Sequence, residues 1–154
     1  MDDNNDVFLI LKVKFKRLNY EARIPTYAHG IEDAACDLYA VGNYTIPTRQ
    51  TRLIGTGLAL QIPLGYVGIL KGRSSVEQYG LILHAGVIDS GYRGEVKVML
   101  YNEGYTSLRV NHLQRIAQLL IIPIIHGNFT EVRELDESVR QTDGFGSTNV
   151  QELP

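Results

Sequence analysis

Gly86-Val87-Ile88-Asp89-Ser90-Gly91-Tyr92-Arg93-Gly94-Glu95 reads as a strand, a tight turn and another strand, a hairpin with an aspartate ending one arm and a tyrosine starting the next. The same grammar continues in both directions. Short apolar or alternating runs at 8–15, 35–39, 44–46, 52–62, 66–70, 81–85, 95–102, 107–110 and 116–125 read as strands. Turn residues separate them at Val41-Gly42-Asn43, Pro63-Leu64-Gly65 and Asn102-Glu103-Gly104. Only 74–79 reads as a helix, brief, capped by serine and stopped by Gly80, while 130–138 fits neither period. Fifteen glycines and the lack of a long amphipathic helix predict an all-β barrel or jelly roll. Leu119-Leu120-Ile121-Ile122-Pro123-Ile124-Ile125 is apolar on both faces, which fits either a central core strand or a subunit interface; an oligomer is expected.

At 154 residues the chain is expected to be one domain, large enough for a core without disulfides or metal. Residues 1–6 are expected to fray, and 136–154 to form an arm too polar to order by itself. A net charge of −2 argues against a nucleic-acid backbone binder. One cysteine, Cys36, rules out an internal disulfide and fits a reducing compartment, cytoplasmic or nuclear; beside Ala34 and Ala35 it reads as a small core residue, with a nucleophile as the alternative. No apolar run reaches membrane-spanning length and no secretory leader pattern opens the chain. His29, His84, His112 and His126 have no zinc-like spacing.

Several constellations suit a small anion. Arg140 and the stretch Gly144-Phe145-Gly146-Ser147-Thr148 combine a cation, two glycines, two hydroxyls and an aromatic: a lid that orders over phosphate and stacks Phe145 on a ring, hence over a nucleotide. Lys71-Gly72-Arg73-Ser74-Ser75 follows a strand and opens the helix, so Arg73 and the hydroxyls of Ser74 and Ser75 either bind an anion or cap. Asp37, among small residues in a strand, either pairs with a basic side chain or helps hold a hydrated cation. Gln118, three residues from Arg115, needs a hydrogen-bond partner, structural or ligand. Asp89 sits where a water could be held, although Asp-x-Gly is also ordinary turn chemistry, and Gly86 marks close approach of a ligand or another backbone.

In this order the pieces resemble the five motifs of the trimeric dUTPase family: 34–39, 72–75, 86–94, 115–119 and 140–148, the likeness running from about Pro25 to Asn149. The resemblance implies a distorted jelly-roll-like β barrel, a homotrimer with sites shared between subunits, and an arm that closes each site. It implies hydrolysis of dUTP to dUMP and pyrophosphate, with Mg²⁺ across the phosphates. By the same likeness Asp89 is the base that activates water against the α-phosphorus, and Tyr92 packs under the deoxyribose. The backbone near Gly86, Val87 and Lys97 reads uracil. Arg73, Ser74, Ser75 and Gln118 hold phosphate oxygens, and Asp37 belongs to the hydrated Mg²⁺ network. Arg140, Phe145, Gly146, Ser147 and Thr148 arrive on the arm.

The sequence departs from the family pattern at Gly72, where proline is usual, at Leu113-Gln114, where Gly-Asp is usual, and at Gln141, Asp143 and Asn149. Two other functions compete. A dCTP deaminase-like enzyme needs a carboxylate in the strand after the hairpin, where Met99 stands. A non-catalytic regulatory trimer has no need of Asp89, Tyr92, Arg140 and Phe145.

Overall fold

The computed structural model describes residues 10–139. Ten strands form two four-stranded sheets and one two-stranded sheet: β1 (Lys14–Arg17), β2 (Cys36–Tyr39), β3 (Tyr44–Ile46), β4 (Thr51–Gln61), β5 (Tyr66–Lys71), β6 (Leu81–His84), β7 (Val87–Ile88), β8 (Glu95–Asn102), β9 (Leu108–Val110) and β10 (Arg115–Pro123). The orders are β1-β4-β8-β6, β2-β10-β5-β7 and β3-β9, and every pairing is antiparallel. A single helix, α1 (Ser74–Glu77), and a 3₁₀ turn, Gly30–Glu32, complete the described elements. The expected all-β architecture with one short helix is what forms.

Period-two alternation builds the core. In β8, Val96, Val98, Leu100 and Asn102 are buried while Glu95, Lys97, Met99 and Tyr101 turn outward. The inward set meets Leu38, Ile46, Ile54, Leu60, Ile116 and Leu119 from the other strands. Asn102 is the polar member of that row. Its amide nitrogen donates to the carbonyls of Ile46 and Thr106, both at 2.8 Å, and its oxygen accepts the Gly104 N–H at 2.9 Å. One fully satisfied side chain thus ties β3, β8 and the following turn together.

Some sequence expectations need correction. The first strand is β1, shorter and later than 8–15, with every residue exposed, and Phe8 lies outside the described residues. The frayed start expected at 1–6 also lies outside them. In α1 the N-cap residue is Arg73 and no side chain caps the helix, so the serine cap does not form. Gly80, at φ +82°, does end that segment in the left-handed conformation expected of it. The apolar run after Gln118 stays in a strand only to Pro123, and Ile122, Ile124 and Ile125 are exposed in the single chain. From Ile122 through Val139 the chain is exposed and, past Pro123, forms no strand or helix, so it leaves the sheet well ahead of Asp136.

Candidate active site

Two features face solvent, one on the second sheet and one where the chain passes between the two four-stranded sheets. The first is a polar cleft. Gln118 on β10 is the direct partner of Asp37 on β2 and of Lys71 on β5, so the three side chains share one face, whereas Cys36, Leu119 and Leu70, one step along, share the core face. Arg115 joins Gln118 because the β2–β10 register shifts between Arg115 and Ala117. Without that bulge, residues three apart would point to opposite faces. The cleft, about 220 Å³, is lined by Asp37, Arg73, Arg115 and Gln118, and on one side by the 28–35 loop.

Asp37 is buried and answers the choice left open by its sequence context: it pairs with basic side chains. Its Oδ1 lies 2.8 Å from Arg73 Nε, and its Oδ2 accepts a hydrogen bond from Arg115 Nη1 at 3.2 Å. The Arg73 contact is close enough for an ion pair, yet its N–H is not aligned on the carboxylate, and Nε remains a buried donor without a hydrogen-bonded acceptor. Arg73 Nη1 donates to Ser75 Oγ at 3.0 Å. Ser74 and Ser75 are exposed at the start of α1. A guanidinium held this way, beside a second one, is a ready partner for an anion.

The second feature is a slot. The two arms expected to form a hairpin do not pair with each other: β7 pairs with β5 in one sheet and β8 with β4 and β6 in the other. The chain switches sheets at Ala85 and Gly86, both with positive φ (59° and 115°). Gly86 lies between strands, not inside one, and the close approach it marks is to another backbone. Leu70 N–H donates to its carbonyl at 2.7 Å, and a Cβ at Gly86 would sit 3.0 Å from Leu70 O. Because β6 pairs only with 99–102, no described strand covers that edge of β8 at 95–98, beside Lys97. A flat ligand with donors and acceptors on its rim can bond such an edge as a strand would. The turn is closed by Tyr92 N–H donating to Asp89 O at 3.1 Å, and the Tyr92 hydroxyl donates to Glu95 O at 2.9 Å. Asp89, Val87, Tyr92 and Lys97 are all exposed here.

Within a single chain the Asp89 end of the slot does not reach the cleft, although its Gly86 end lies against Leu70, next to Lys71. Ile88 pairs with Gly68 and the chain runs on past the Val67 end of β5, while Arg73 follows the Lys71 end. Val67 and Lys71 alone are about 13 Å apart along an extended strand. Arg140, Phe145, Gly146, Ser147 and Thr148 lie outside the described residues. Sequence reading singled out Asp37, Arg73, Ser75 and Gln118, which do converge. It did not assign Arg115, whose signal was the three-residue spacing to Gln118, nor His29 and Asp33, for which the sequence carried none.

Among the described residues no group of three His, Cys, Asp or Glu could hold a metal ion, and no helix is long and apolar enough to cross a membrane. The dUTPase family model matches residues 21–149. The deoxyuridine 5′-triphosphate nucleotidohydrolase of Nautilia profundicola is 40% identical over 141 residues, covering 90% of this chain and 99% of its own. That of Clostridioides difficile is 39% identical over 139 residues, 88% and 96% of the two chains. Among solved structures, the dUTPase of Staphylococcus bacteriophage 80alpha with dUpNHpp superposes with a TM-score of 0.85 at 29% identity, covering 90% of this chain and 99% of that one. The dUTPase of phage phi11 of S. aureus, whose structure concerns a structural Mg(II) ion, has a TM-score of 0.77 at 25% identity, covering 82% and 100%. A cation-lined cleft, an open-edged slot and a match across most of the chain agree, and the chain belongs to the dUTPase family.

Proposed function

We propose that the protein hydrolyses dUTP to dUMP and pyrophosphate, limiting uracil incorporation into DNA and supplying dUMP for dTMP synthesis. The observation that carries the reading is the pairing, in one family fold, of a two-arginine cleft suited to phosphate with an open backbone edge suited to a base. Arg73, Ser75 and Gln118 would hold phosphate oxygens, with Ser74 beside them. The edge near Gly86, Val87 and Lys97 would read uracil, with Tyr92 under the sugar. Asp89, exposed at the slot's mouth, would accept the proton of a water attacking the α-phosphorus, a role worth about 10²–10⁴ in rate. Arg140 and Phe145–Thr148 would close the site from the arm.

Asp89 stands apart from the arginine cleft within a single chain, which supports a site shared among copies in a homotrimer. The apolar face left open at Ile122, Ile124 and Ile125 suits such an assembly. Mg²⁺ fits these residues only at second hand. Each Asp37 oxygen already faces an arginine, so the carboxylate would reach the ion only through a metal-bound water, and substrate phosphates would hold the ion itself. When bound, Mg²⁺ would neutralise phosphate charge. Turnover of dUTP, UTP, dTTP and dCTP is measured side by side with Mg²⁺. Pyrophosphate release selective for dUTP is expected; ammonia release from dCTP, or equal turnover of UTP, refutes the reading.

A further inference from the structure

The 28–35 loop walls the cleft and is held by one carboxylate. Asp33 Oδ2 accepts the main-chain N–H of His29 at 2.7 Å, and Oδ1 meets His29 Nδ1 at 3.1 Å, across the Gly30–Glu32 turn. The backbone bond first and the ring bond second hold the Asp33 carboxyl below the usual carboxylate range. The His29 side chain is 81% exposed against 25% for Asp33, so the ring stands at the mouth on an anchored support. A carboxylate on Nδ1 keeps the proton on that nitrogen and leaves Nε2 as the ring's outward atom.

The charges around the cleft leave an anion welcome there. Arg73, ahead of α1, Arg115, on β10, and Lys71, on β5, share the face of Asp37 on β2, three cations to one anion; Asp33 on the loop, bonded to the His29 main chain and ring, is a second anion, and Gln118 is neutral. We propose that His29 is a contact for the outer phosphates, and for departing pyrophosphate, with Asp33 as its positioning residue. This rests on the dUTP-hydrolysis reading. With Nδ1–H given to Asp33, a neutral ring offers Nε2 as a lone pair, which repels a phosphate oxygen. Only the doubly protonated ring donates from Nε2. The contact therefore belongs to the imidazolium form of the ring.

The test is calorimetric titration of the full chain with pyrophosphate and Mg²⁺ at about pH 6 and about pH 8.5. The readout is the ratio of affinities at the two pH values compared among variants, so that protonation of pyrophosphate itself cancels. Wild type should show a ratio about three- to tenfold larger than His29→Ala, the range for one exposed charge-assisted hydrogen bond. His29→Lys, a permanent cation, should bind tightly at both pH values, and Asp33→Asn should lose part of the wild-type ratio. Parallel wild-type and His29→Ala profiles overturn the proposal. Hydrolysis of dUTP by the same preparations is followed separately. Its absence in wild type would sink the proposed activity, while the titration still decides the role of His29.

Discussion

Replacing Asp37 by Asn keeps the side chain's shape and removes the charge between two guanidiniums. Arg73 Nε is 2.8 Å from Oδ1, and its side chain is 17% exposed. At that distance, with an effective dielectric constant of about 20, the gross attraction is about 6 kcal/mol. Desolvation of the pair offsets part of this, but the cost of burying Arg73 stays when its partner goes, and the net loss is about 3 kcal/mol. Arg115, half exposed, adds at most about 1 kcal/mol. For a chain of this size the sum lowers the melting midpoint by about 10 °C. Thermal unfolding at fixed protein concentration, without and with pyrophosphate, measures it. The freed arginines in Asp37→Asn should let pyrophosphate raise the midpoint more than it does in wild type. An unchanged midpoint, with equal pyrophosphate shifts in both proteins, refutes the buried pairing.

Asp89→Asn should lower kcat for dUTP about 10²–10⁴-fold while the nucleotide still binds, as single-turnover kinetics and equilibrium binding would reveal. Gly86→Ala places a Cβ 3.0 Å from Leu70 O at φ +115°, so it should cost about 1–3 kcal/mol in denaturant unfolding and raise KM; a wild-type midpoint and KM would mean the sheet switch tolerates a side chain. Asn102→Ala leaves the buried Ile46 carbonyl, the part-buried Thr106 carbonyl and the Gly104 N–H without their partner, a loss of about 2–4 kcal/mol on chemical denaturation. Burial, the main cause, pushes the Cys36 thiol up, so the folded chain keeps a proton there that the unfolded chain releases. Its contribution is whole below the ordinary thiol range and declines as pH rises through it. Stability should therefore fall in alkali less steeply in Cys36→Ala than in wild type, and thiol reagents near neutral pH should label Cys36 only after unfolding.

The inward row of β8 could be read from sequence because alternation is a property of the strand itself: Val96, Val98 and Leu100 are adjacent in the pattern and adjacent in the core. The Gly86 signal was legible for the same reason, since a left-handed backbone beside a close neighbour excludes a side chain locally. That 130–138 forms no strand or helix was legible in its fitting neither period, though not that the chain leaves the sheet at Pro123.

Other features had no local trace. Val87 and Glu95 look like opposite arms of one hairpin, but β5 and β4 compete for them and draw them into different sheets. Whether Asp37 meets an arginine or a hydrated cation depends on Arg73 and Arg115, and Arg115 reaches it only through the bulge beside Ile116. The placement of His29 over the same cleft depends on how a loop packs across β2 and β10. Sequence by itself determined most of the strand-forming segments, their inward faces and the family to which they conform. Tertiary structure alone decided which edges stay open and which charges meet, because residue periodicity specifies a strand's two faces and says nothing about its neighbour across a long stretch of chain.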